Sequence, residues 1–139
     1  MKVNNIKITY FLLVLSLFSL HCAGLIHNKQ SQGNIHAIYP MDNEGYATVV
    51  GQVTNARTGE PLLCVEVIVK FPPGLAIGST SGLFGYYSIM KLTPGRYNFE
   101  ANVIGYSAAD ITDIDLNENQ ILVLDIQLAE AKLLGEEVW

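Results

Sequence analysis

Two cysteines, three histidines and an acid-rich turn are the residues of this 139-residue chain whose types could do chemistry. A cysteine nucleophile needs a neighbouring base to form its thiolate. A zinc site needs Cys, His or carboxylate ligands converging on one point. Cys64 lies in Leu62-Leu63-Cys64-Val65, whereas His21, His27 and His36 all precede the segment that reads as folded. That arrangement supports neither a Cys–His pair nor a zinc centre, and Cys64 is expected to be a small buried thiol. Cys22 is its one conceivable partner, and no structural disulfide is expected. Asp113-Ile114-Asp115-Leu116-Asn117-Glu118-Asn119 opens with calcium-loop spacing. However, Glu118 stands where such a loop needs glycine, and Leu124 where it needs a bidentate acid. Aspartates alternating with Ile and Leu are what a half-buried strand produces. No catalytic residue, metal ligand or cofactor is therefore assigned, and a non-enzymatic function is expected.

The remaining candidates are binding residues. Gly82-Leu83-Phe84-Gly85 and the stretch from Pro72 to Ile77 are unusually apolar for loops. They are expected to fold back over an open end of the domain, the alternative being a partner-binding patch. Tyr86 and Tyr87, beside Phe84, could stack on sugar faces, although tyrosines of this kind more often belong to a core or a cross-strand pair. Leu83, Phe84, Tyr86 and Tyr87 are thus the candidates for partner contact. Glu136, Glu137 and Val138 join them from the tail, because that stretch resembles the short segment by which outer-membrane receptors pair with their energy-coupling protein through strand addition.

The elements that position these residues begin with a targeting segment. Lys2 and Lys7 form a basic start, Ile8 to Leu20 an uncharged apolar run, and His21-Cys22-Ala23-Gly24 a small-residue exit. The run is shorter than the ~20 residues a membrane-spanning helix needs. Residues 1–24 therefore read as a secretory signal peptide. Cys22 resembles the lipidated cysteine of a bacterial lipobox, with His21 and Ser19 standing where the motif favours a small and an aliphatic residue. The alternative is cleavage after Gly24, which discards Cys22. Residues 25–45, rich in Asn, Gln, Ser, Gly and His, read as a flexible linker. Loss of the signal removes two of the eight basic residues and none of the thirteen acids, leaving a net charge near −7. That balance excludes a nucleic-acid footprint and opposes binding to anionic lipid unless the chain is tethered.

From Tyr46 onward, short β-type runs alternate with turn signals at about ten-residue spacing. Strands are expected over 47–54, 65–70, 77–81, 86–90, 96–103, 107–116 and 121–128. Asn55 to Pro61, Pro72-Pro73-Gly74, Thr93-Pro94-Gly95 and Asn117-Glu118-Asn119 punctuate them. Val65, Val67 and Val69 should share one face, as should Tyr97, Phe99 and Ala101. Seven strands with polar turns predict an all-β, two-sheet antiparallel sandwich.

Gly51-Gln52-Val53, Thr58-Gly59-Glu60-Pro61-Leu62 and Val65-Glu66-Val67 follow one another in an order that resembles the carboxypeptidase-regulatory-like domain family. Thr80, Gly85-Tyr86-Tyr87-Ser88-Ile89, Leu92-Thr93-Pro94-Gly95-Arg96-Tyr97 and Gly105-Tyr106 continue it, across roughly residues 46 to 128. Gly82 stands where the family often has Asp, and Cys64 where it often has Gly or Ala. The resemblance implies a prealbumin-like, seven-stranded Greek-key sandwich, with Tyr97 and Tyr106 as core anchors and 129–139 as a tail. Such domains occur beside zinc carboxypeptidases, at the front of TonB-dependent outer-membrane nutrient receptors, and alone in envelope lipoproteins. The catalytic metal site belongs to the neighbouring peptidase domain. The expectation is an exported lipoprotein of the bacterial outer membrane or periplasm, acting as a protein-interaction or structural module. The alternatives are a detached front domain of a nutrient receptor and a carbohydrate-binding module.

Overall fold

A computed structural model describes residues 30–71 and 74–132. Within them are eight strands and no helix: β1 (Gln32–Pro40), β2 (Ala47–Asn55), β3 (Glu66–Phe71), β4 (Leu75–Thr80), β5 (Tyr86–Leu92), β6 (Gly95–Asn102), β7 (Ala109–Leu116) and β8 (Gln120–Leu128). They form two four-stranded sheets, ordered β1-β8-β2-β5 and β4-β3-β6-β7. The all-β sandwich is as expected. It has one strand more, and one of its pairs, β2 with β8, is parallel.

The period-2 alternation decides which side chains enter the core. Val65, Val67 and Val69 are fully buried, as are Val49, Val53, Leu122, Leu124, Ile126 and Leu128 from the facing sheet. Each contributes about 1.5–3 kcal/mol relative to an exposed side chain. Tyr97, Phe99 and Ala101 also point inward, and the Tyr97 ring meets Phe71 edge-on, centroids 5.1 Å apart. The Tyr97 hydroxyl donates to the Thr93 carbonyl at 2.7 Å, so the polar end of a buried ring is satisfied. Tyr106 is only partly buried and packs against the core margin.

The extra strand, β1, occupies the segment read as a linker. It pairs antiparallel with β8, and its backbone crosses over Ile111 of β7 at Gly33, closing one side of the sandwich. Most of its residues stay exposed, so burial imposes no alternation on its sequence. The domain also runs past β8, because Tyr106 bridges Glu130 and the Ala131 amide donates to the Gly105 carbonyl at 2.9 Å.

Candidate functional site

Strand directions place three loops at one end of the sandwich, here the upper end: residues 56–65 after β2, 81–85 between β4 and β5, and 103–108 between β6 and β7. The expectation that Leu83 and Phe84 fold back over the core is not met. They are 70% and 66% exposed, and Tyr86 follows at 64%. Leu63 and Ile104, which sequence reasoning did not single out, are exposed on the neighbouring loops, Ile104 almost completely. Lone apolar residues on a surface are ordinary, but five on the loops and strand start of one end are a candidate contact surface.

Hydrogen bonds hold these loops in place. The Ser81 hydroxyl, buried, donates to the Leu62 carbonyl at 2.7 Å and accepts from the Val65 amide at 2.9 Å. This fixes Leu62 inward and turns Leu63 out. The same loop gives Cys64 a left-handed backbone (φ 60°) and an exposed side chain, correcting the expectation of a buried thiol. Gln52 donates from Nε2 to the Phe84 carbonyl at 2.9 Å. Gly85 is required where it stands: its φ is +77°, and a Cβ there would lie 2.5 Å from the Val53 carbonyl oxygen. The tight Gly82–Gly85 turn therefore lies against β2 and lifts Leu83 and Phe84 into solvent.

Asn55 organises the rest of this end. Its buried side chain accepts from the Arg57 and Thr58 amides and donates to Glu130 at 2.9 Å, where Arg57 also binds. Hydrogen bonds from Asn55 and Arg57 hold the Glu130 carboxyl below its usual range. Ser31 ties the start of β1 to this end, donating to the Ser107 carbonyl at 2.7 Å and accepting from the Ala129 amide at 2.9 Å.

Tyr87 is not a surface residue. It is 4% exposed, lies across from Gly51, and donates its hydroxyl to the Leu124 carbonyl at 2.6 Å. Gly51 makes room for it, since a Cβ there would lie 3.0 Å from the ring and 1.9 Å from the Leu124 carbonyl oxygen. With that carbonyl occupied, the Gln52 amide turns instead to Asp125 Oδ1 at 3.0 Å. Burial, with Asp125 nearby, pushes the Tyr87 phenol well above its usual range. Of the adjacent pair, only Tyr86 faces outward.

The acids of β7 do not converge on a cation. Arg96 donates to both Asp115 oxygens at 2.9 and 3.3 Å and stands 3.9 Å from Asp113. That hydrogen bonding lowers the Asp115 pKa. Among the described residues, no three His, Cys, Asp or Glu side chains group to hold a metal. Cys22, Glu136, Glu137 and Val138 lie outside the described residues.

The family model for the carboxypeptidase regulatory-like domain matches residues 48–129. Carboxypeptidase D of Anas platyrhynchos is 30% identical over 100 residues, an alignment covering 72% of this chain and 7% of that protein. The chain therefore spans a small fraction of that relative's length. Catechol 1,2-dioxygenase from Pseudomonas arvilla C-1 superposes on 96% of this chain and 72% of its own, with a TM-score of 0.51 at 14% identity. A candidate carbohydrate-binding protein of Bacteroides uniformis covers 60% of this chain and 41% of its own, also at 0.51, with 13% identity. At such identities the likeness is one of fold. From β2 through β8 the chain is a regulatory-like, non-catalytic sandwich, and it belongs to the carboxypeptidase regulatory-like domain family.

Proposed function

We propose that the protein is a non-enzymatic, lipid-anchored protein of the bacterial cell envelope whose upper loop end is a contact surface for a membrane-proximal protein partner. The observation that carries this reading is the exposure of Leu63, Leu83, Phe84, Tyr86 and Ile104 at one end, on loops held by the buried Ser81 and Asn55 side chains. Fixed loops lose little conformational freedom on binding, so apolar surface presented on them converts efficiently into affinity. The chain also enters the sandwich at this end, through Ser31. Cys22 precedes Gln30 by eight residues. A lipid on Cys22 therefore keeps Gln30, where the chain reaches this end, within about 28 Å of the bilayer, at ~3.5 Å per extended residue.

The test has two separable arms. Labelled fatty acid should enter the wild-type protein and not Cys22→Ala, which should leave the membrane fraction. Capture of a partner from detergent-solubilised envelopes should succeed with wild type and fail with a Leu83→Ser, Phe84→Ser, Ile104→Ser variant that still folds. Equal capture by that variant rules out the loop end. The exposed rings of Phe84 and Tyr86 favour a second reading, a carbohydrate-binding module. Glycan-array binding that is lost in Phe84→Ala, Tyr86→Ala would favour it over a protein partner.

A further inference from the structure

Each sheet of the sandwich has two edge strands, and an unpaired edge is a template for another strand unless something blocks it. Three of the four edges are blocked in the same manner. In β1 the ladder slips between Ile35 and Ala37, leaving His36 as an extra residue. In β5 two residues, Met90 and Lys91, oppose one of β2, and Lys91 has φ 58°. In β7 Thr112 and Asp113 oppose one residue of β6, and Asp113 has φ 60°. Each of these edges thus has a bulge bearing a titratable side chain, which twists the strand and sets a polar or charged group on it.

The fourth edge has no such device. β4 pairs with β3 through six consecutive residues without a register shift, and Leu75-Ala76-Ile77-Gly78-Ser79-Thr80 contains no charge and no proline. Its other side has no partner strand among the described residues. Ile77 lies on the core-side face, opposite Val69, yet is 46% exposed because the sheet ends there.

We infer that β4 is a dimerisation edge, which pairs antiparallel with β4 of a second copy of this chain about a twofold axis at Gly78. Identical strands without charge do not repel, and an antiparallel twofold pairing closes at two copies. The register also sets no like charges across the axis, and Lys70 stays paired with Glu100 of its own copy. On the outer face Lys70 stands beside Ala76, and Glu66 beside Thr80. The twofold sets Ala76 opposite Thr80 of the other copy, so each row runs from Lys70 of one copy, over two small residues, to Glu66 of the other. On the core-side face, Ile77 lies opposite Ser79 of the other copy and diagonal to its Ile77, within reach of side-chain contact. The two sheets merge into one of eight strands.

The test is sedimentation equilibrium of the full chain as the cell processes it, in density-matched detergent, together with residue-resolved amide exchange. The mass should rise from one copy to two with concentration, and amides between Ala76 and Thr80 should slow as it does. Ile77→Lys should weaken the association about tenfold or more by setting like charges across the axis. Met90→Lys, on the blocked β5 edge, should leave it unchanged. A one-copy mass at every concentration would overturn the inference. So would a dimer whose β4 amides exchange as fast as the monomer's, a measurement that needs no variant to fold.

Discussion

Replacing Tyr87 by Phe removes one oxygen from the core and should destabilise the protein by about 1–2 kcal/mol. The hydroxyl donates at 2.6 Å to the Leu124 carbonyl, and Leu124 itself is fully buried. A net hydrogen bond is worth about 0.5–1.5 kcal/mol, and leaving a buried acceptor unpaired costs about 1–3 kcal/mol. The lower part of that range applies, because the phenyl ring preserves the packing over Gly51. In urea the midpoint should fall with the slope unchanged, and the melting temperature should drop by roughly 5–10 °C. The pH dependence supplies a second readout. An unfolded tyrosine ionises near pH 10, and burial raises that value in the folded state. The folded protein therefore holds this proton more tightly. The stabilisation is complete below pH 10 and is lost as pH rises above 10 towards the folded value. Phe has no proton to lose, so the gap between wild type and variant should narrow above pH 10. An unchanged urea midpoint at neutral pH would refute the reasoning.

Ser81→Ala removes the two side-chain bonds that brace the loop before β3, leaving its backbone bonds, and should cost about 1–3 kcal/mol in chemical denaturation, with faster amide exchange at Val65. Gly85→Ala should cost at least about 2 kcal/mol, since a left-handed alanine is strained by ~1–2 kcal/mol and the Val53 carbonyl must also shift. Phe84→Ser and Leu83→Ser should change stability by less than about 0.5 kcal/mol while reducing partner capture, a split that urea titration and pull-down measure side by side. Arg96→Gln should raise the Asp115 pKa towards the ordinary carboxylate value, read by NMR titration, with little effect on folding because the pair is exposed.

Much of the fold was legible because a half-buried strand writes its burial into the sequence. Val65-Glu66-Val67-Ile68-Val69 and Tyr97-Asn98-Phe99-Glu100-Ala101 alternate, and their inward members are the ones the core takes. β1 was not legible for the complementary reason. It is an edge strand with a bulge at His36 and a proline at its end, and so little of it is buried that no period constrains it. The adjacent tyrosines show a signal that was present and not used. Tyr87 shares strand parity with Ile89, so the buried member of the pair could have been read from position alone. The exposure of Cys64 was not readable, because it follows from a left-handed turn pinned by Ser81, sixteen and more residues away from the bonds it makes. The candidate surface was half visible. Leu83 and Phe84 stood out as apolar loop residues, whereas Leu63 and Ile104 join them only once strand directions bring three loops to one end.

Photo-cross-linking in living cells tests the central claim most directly. A cross-linking residue placed singly at Leu83, Phe84 and Ile104 on the upper end is compared with one at Ser88 and Thr112, which are exposed on the two sheets. The account predicts adducts to the same envelope protein from the three loop positions and none from the two sheet positions. Adducts confined to Ser88 or Thr112, with none from the loops, would contradict it.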